Sequence, residues 1–209
     1  LLLGVAQNIQ GLTQLESLGW WRDTEEEEAQ LAELKKQAAY WQALYPFPYL
    51  ELVESWSIKR QLNPLLVISL IRQESRFETT IRSVANAIGL MQVLPSTAEW
   101  IAPQINLKNY SLENPNDNIN LGTWYLAHTH ETYNNNSLLA VASYNAGPGN
   151  VSNWIQKYGL NDPDEFVEDI PFPETQGYVK HVFGNYWNYM RFYNPEIAQK
   201  LEQLPPTKQ

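Results

Sequence analysis

Residues 63–75 read Asn63-Pro64-Leu65-Leu66-Val67-Ile68-Ser69-Leu70-Ile71-Arg72-Gln73-Glu74-Ser75, and this stretch decides the fold. An Asn followed by Pro supplies a cap and a pre-set first helical residue, so a helix is predicted over 65–74. Leu65 to Ile71 are apolar on nearly all sides, which makes this the buried central helix of its domain. It closes on a carboxylate. Ionising Glu74 at the tip of so apolar a helix is costly, so its pKa should rise. A carboxyl that stays protonated near neutral pH can donate to a glycosidic oxygen. Taken alone the signal is weak, because a Glu at a helix end is more often a surface residue.

The pattern outward from this helix is helical in both directions. Upstream, Asp23-Thr24 reads as an N-cap, with Glu25 to Glu28 as a solvated first turn at the positive end of the helix dipole. Leu31, Leu34, Ala38 and Trp41 follow at helical spacing. Tyr45-Pro46-Phe47-Pro48 then breaks the pattern and sets a boundary. Residues 1–44 are too few for a core of their own and read as the tail of a larger helical region or a linker. Residues 45–200 read as the catalytic domain, and 201–209 as a loose tail. A helix is expected from Pro48 to about Lys59. Residues 76–91 lose helical periodicity and fit a small turn-rich or short β lobe. Further helices are expected over Pro95–Ile101, Asn118–Tyr133, Ser137–Asn145, Gly149–Tyr158 and Glu174–Tyr193. The fold class is all-α.

Composition excludes several functions. Of 209 residues, 44% are hydrophobic and 18% charged, which suits a folded chain. There is no cysteine, so neither a disulfide framework nor a thiolate site or nucleophile is available. His128, His130 and His181 show no zinc spacing, and neither a metal nor a cofactor is expected. A net charge of −9 without a basic stripe argues against nucleic-acid binding. No run approaches the ~20 apolar residues that span a bilayer. The opening Leu1-Leu2-Leu3-Gly4 is too short for a signal peptide and lacks its basic flank, so the chain reads as a mature form or a fragment. Eight Trp, twelve Tyr and six Phe are abundant for this length. Such rings stack on sugars, although most rings in any chain fill core and interhelical seams.

Three further segments support chemistry at Glu74. Gly89-Leu90-Met91-Gln92 follows it by 15 to 18 residues. The glycine permits close backbone approach, and Gln92 offers a donor and an acceptor for sugar amides. Ala142-Ser143-Tyr144-Asn145-Ala146-Gly147-Pro148-Gly149 joins two helices through a turn able to aim Tyr144 and Asn145 into a cleft. Glu168-Asp169-Ile170-Pro171-Phe172 leads into Glu174-Thr175-Gln176-Gly177-Tyr178 at the start of the last helix. Glycosidases commonly use two carboxylates, about 5–5.5 Å or 6.5–9.5 Å apart. No partner for Glu74 is evident. Glu78 lies beyond the expected helix end, and no Asp occurs between Ser75 and Gln92.

With RQES at 72–75, GLMQ at 89–92, NINLGTWYL at 118–126, SYNAGPGNV at 143–151 and EDIPFPETQGYV at 168–179, the sequence resembles the soluble lytic transglycosylase family. Each motif is short, but the five stand in the family's order and span about 64–190. The resemblance implies a lysozyme-like catalytic domain preceded by extra N-terminal helices. It implies Glu74 as catalytic acid/base, Ser75 in support, and Tyr144 with its hydroxyl against the Glu74 carboxyl. Met91, Gln92 and Asn145 would line the glycan groove, and Phe77 would pack against a sugar. Glu174 would bind the peptide stem, with Tyr178 nearby. The implied partner is peptidoglycan, cleaved between N-acetylmuramic acid and N-acetylglucosamine with a 1,6-anhydro end; envelope location follows only from that substrate. Two positions depart from the family's pattern. Asn86 stands where relatives often carry Gly, and Leu94 where many carry a second Met. Neither touches the acid. A goose-type lysozyme-like hydrolase and a non-catalytic peptidoglycan-binding module are the alternatives.

Overall fold

A computed structural model describes residues 38–160 and 162–194, together with Ala29, Ala32, Glu33 and Lys36. The helix expected after Asp23-Thr24 and the tail over 201–209 lie outside the described residues, apart from that helix's last turns. Nine α-helices occur among the described residues: α1 (Ala38–Leu44), α2 (Leu50–Arg60), α3 (Pro64–Ser75), α4 (Pro95–Ile101), α5 (Pro115–Thr132), α6 (Ser137–Ala146), α7 (Pro148–Tyr158), α8 (Pro163–Glu168) and α9 (Pro173–Tyr193). A 3-10 turn, Ala102–Ile105, follows α4. No described helix is long and apolar enough to cross a membrane.

Proline and a capping side chain set most helix starts. Pro64, Pro95, Pro115, Pro148, Pro163 and Pro173 each open a helix, where the missing N–H costs nothing. Asn63, Asn114 and Asp162 stand before three of these and accept backbone N–H groups of the first turn. Asn136 does the same for α6, receiving Leu138 and Leu139. Each such cap stabilises its helix by about 1 kcal/mol. Two boundaries and one further helix differ from the sequence expectation. α5 begins at Pro115 rather than Asn118, α8 was not anticipated, and α2 begins at Leu50, after a left-handed Tyr49 (φ 58), rather than at Pro48.

The described residues divide into two units. One comprises those up to Pro48 and those from Trp187 onward; the other comprises Tyr49–Tyr186. The first is an aromatic cluster. Trp41 stacks on Phe192 (centroids 5.5 Å apart), and Tyr45 and Phe47 meet Tyr189 edge-on. The Tyr189 and Tyr193 hydroxyls donate to the carbonyls of Pro46 and Tyr45.

In the second unit α5 packs against α2, α4 and α6, with α2 also on α3 and α6 also on α7. α3 is its centre: Val67, Ile68, Leu70 and Ile71 are completely buried, worth roughly 2 kcal/mol each. Between α3 and α4 the chain makes no strand, only isolated bridges of Ile88 with Arg82 and Val93. This is the turn-rich lobe expected over 76–91.

Candidate active site

Glu74 occupies the last turn of α3, which stops at Arg76 in the left-handed region (φ 49). Ser75 fixes that end. Its hydroxyl lies 3.1 Å from the Ile71 carbonyl and 2.8 Å from the Leu90 carbonyl, and accepts the Phe77 N–H. The helix tip is thereby tied to the 88–92 turn.

Buried Asn118 of α5 holds that turn from the other side. Its amide donates to the carbonyls of Ile88 (2.8 Å) and Leu112 (2.7 Å), and its oxygen accepts the Met91 N–H (2.8 Å). Gly89 permits the approach. Its φ is +78, and a Cβ there would stand 2.3 Å from the Leu112 carbonyl oxygen. Gly122 similarly leaves room for Met91, whose sulfur a Cβ would meet at 2.5 Å. Asn118 falls within a motif quoted from the sequence, yet no role had been read for it. Its partners lie 27, 30 and 6 positions away along the chain, so no local pattern marks it.

The Glu74 carboxyl accepts a 2.6 Å hydrogen bond from the Tyr178 hydroxyl of α9. This differs from the expectation that Tyr144 would make that contact. The Tyr144 hydroxyl instead donates to the Met91 carbonyl (2.8 Å), which takes no backbone N–H. Tyr144 still lies close enough that burial and the Glu74 carboxylate together push its pKa well above the ordinary phenol value. The same two causes raise Tyr178, so both remain phenols. Desolvation dominates at Glu74 itself and pushes the carboxyl up to about 7. The Tyr178 bond offsets part of this, and nearby Glu174 adds a smaller push upward. Only part of the Glu74 side chain meets solvent. A group with that pKa holds substantial amounts of both its acid and base forms at neutral pH.

A cleft of about 270 Å³ is walled by Gln92, Leu94, Thr97, Tyr125, Tyr144 and Asn145 among others, and Tyr144, which feels the Glu74 charge, links it to the carboxyl. Gln92 sits in the left-handed region (φ 47), with its amide nitrogen bonded to the Ile81 and Gly89 carbonyls. The Asn145 oxygen accepts from Thr175 (2.7 Å), fixing the start of α9. Glu174 is exposed on the first turn of α9. Met91 and Phe77 are not groove surface. Met91 is fully buried against Gly122, and Phe77 is only 6% exposed. Met91 fills the space that Gly122 leaves on α5, and Phe77 is buried just past the end of α3, where its N–H is held by Ser75. Tyr178, also 6% exposed, belongs with the carboxyl rather than with an outer subsite.

An all-α domain with a sheltered carboxyl close to Tyr144 of an aromatic and amide-lined cleft fits the lysozyme-like class of folds. Residues 51–167 match the family described as the Transglycosylase SLT domain, and the chain belongs to that family. The soluble lytic murein transglycosylase of Escherichia coli K12 is 34% identical over 165 residues, 76% of this chain. The chain spans only 26% of that relative's length. Among solved structures, the 70-kDa soluble lytic transglycosylase of Escherichia coli superposes with a TM-score of 0.71 at 29% identity, covering 90% of this chain and 31% of that one. An inactive mutant of lytic transglycosylase Slt from Pseudomonas aeruginosa gives 0.68 at 33% identity, covering 79% and 26%.

Proposed function

We propose that this chain, through the domain read as residues 45–200, cleaves peptidoglycan between N-acetylmuramic acid and N-acetylglucosamine, leaving a 1,6-anhydromuramic acid end. The observation that carries the reading is the Glu74 carboxyl at the tip of α3, bonded to Tyr178, with burial pushing its pKa up to about 7. Its protonated form donates to the glycosidic oxygen as the C1–O bond breaks. The substrate's own N-acetyl group relieves the cation at C1, standing in for a second carboxylate. Glu74, now ionised, takes the proton of the C6 hydroxyl while that oxygen bonds to C1. Acid and base are one residue used twice, and no water is consumed.

Gln92 and Asn145 would meet the sugar amides in the cleft, and Tyr144 would form its floor. Glu174 would face the peptide stem. Ser75 holds the acid's helix in place, and Tyr178 keeps its carboxyl oriented. Relatives bear the name murein transglycosylase, which supports this substrate, and with it a location in the periplasm or cell envelope.

The test is digestion of purified peptidoglycan by the chain and by Glu74→Gln, with mass analysis of the released muropeptides. The wild type should yield products lighter by one water than hydrolysed ends. The variant should lose roughly 10²–10⁴-fold in rate. Hydrated ends would instead assign a hydrolase, and equal turnover by both proteins would remove Glu74 from the chemistry.

A further inference from the structure

A second cleft, of about 610 Å³, lies at the other end of α3 from Glu74. From Asn63 on its rim to Glu74 the helix rises about 16 Å. Its walls come from the end of α2, the turn into α3, the second half of α5 and the start of α6.

Lys59 and Arg60 bring two permanent positive charges to this cleft in a chain of net charge −9. Among the described residues neither is ion-paired, whereas Lys36, Arg82 and Lys180 all hold carboxylates. Lys59 sits 4.5 Å above the Trp56 ring, and Arg60 lies 5.9 Å from the same ring. One Arg60 nitrogen donates to Asn120 at 3.2 Å, while its buried Nε has no acceptor. Burial pushes the guanidinium pKa down. An anion would reverse that penalty.

The remaining walls narrow the choice of anion. His130 is neutral at pH 7. Burial lowers its pKa, its Nδ1 donates to the Leu126 carbonyl, and its Nε2 accepts from Ser137. Glu131 contributes one negative charge without pairing to either cation. The cleft therefore carries one net positive charge, which matches a monoanion better than a phosphate dianion. Gln61 and Asn135 add side-chain amides suited to a peptide group. Trp124, stacked on His128 at 5.3 Å, supplies a flat apolar wall.

We propose that this second cleft binds the terminal carboxylate of a short peptide: Arg60 and Lys59 take the carboxylate, Gln61 and Asn135 the adjoining amide, and Trp124 the side chain. The assignment stands independently of any chemistry at Glu74.

NMR titration of the chain tests it, using the Trp124 indole and His128 ring signals as reporters. The probes are N-acetyl-alanyl-alanine, its C-terminal amide, inorganic phosphate and a disaccharide-linked stem peptide. The free acid peptide should shift both reporters, and the amide should bind at least about tenfold more weakly, the worth of one charge-assisted hydrogen bond. Arg60→Gln should weaken the acid peptide by about tenfold. Lys59→Gln, a surface change that leaves the fold intact, should weaken it by about threefold, and Glu131→Gln should tighten it. The linked stem peptide should shift the same reporters, since it carries the same group. Equal binding of acid and amide would overturn the proposal, as would phosphate binding as tightly as the peptide. Shifts produced by the linked peptide alone, or confined to Gln92 and Tyr144, would also overturn it.

Discussion

Replacing Glu74 by glutamine should make the protein more stable in mild alkali while leaving it unchanged in mild acid. The carboxyl moves from an ordinary value of 4.5 to about 7 on folding, chiefly through desolvation. Below pH 4.5 it is protonated in both states and contributes no pH dependence. Between 4.5 and 7 the unfolded chain releases this proton while the native state keeps it, so the unfolded state binds fewer protons and stability falls as pH rises. At about 1.4 kcal/mol per tenfold, the full interval corresponds to roughly 3 kcal/mol. The partial exposure of Glu74 reduces this to about 2 kcal/mol. Glutamine has nearly the same volume and keeps the oxygen that accepts from Tyr178, so little else changes. Urea denaturation of both proteins from pH 4.5 to 8.5 isolates the contribution, since every other carboxylate cancels in the difference. The curves should coincide near pH 4.5 and separate by about 2 kcal/mol by pH 8, with the variant the more stable. A difference constant across that range, or a variant less stable at pH 8, would refute the sheltered carboxyl.

Tyr178→Phe removes the bond that lowers the Glu74 pKa, so that pKa should rise further. The pH–rate profile for muropeptide release should then move to higher pH; an unmoved profile would place Tyr178 outside the acid's control. Asn118→Ala strands the Leu112 carbonyl and the Met91 N–H, while the Ile88 carbonyl keeps the Val93 N–H, and should cost roughly 2–3 kcal/mol, read from the urea midpoint. Gly89→Ala should cost roughly 2–4 kcal/mol, because its φ is positive and its Cβ would strike the Leu112 carbonyl. Gly149→Ala, where nothing lies within 4 Å, should change thermal stability little by comparison.

The central helix was legible because its apolar run and its Asn63-Pro64 start both act locally. The identical signal at Asn114-Pro115 and the related Asp162-Pro163 went unread: the apolar pattern that follows them is weak, although the cap and proline are as strong. Glu74 and its raised pKa followed from the polarity of its own helix. Which phenol would hold it did not. Tyr144 and Tyr178 lie 70 and 104 residues downstream, and only the packing of α6 and α9 decides between them. Met91 and Phe77 were misassigned for a similar reason. Both are large apolar groups that the packing of α3 and α5 buries, which composition does not reveal.

The bond between Glu74 and Tyr178 bears on where this domain can be cut. The matched family segment stops at residue 167, yet the phenol that steadies the carboxyl comes eleven positions later. A recombinant fragment trimmed to the matched limits would keep every atom of the acid and lose its lid. With that phenol gone, and buried Val179 and Val182 with it, water would reach the carboxyl and its proton would leave at ordinary carboxylic pH.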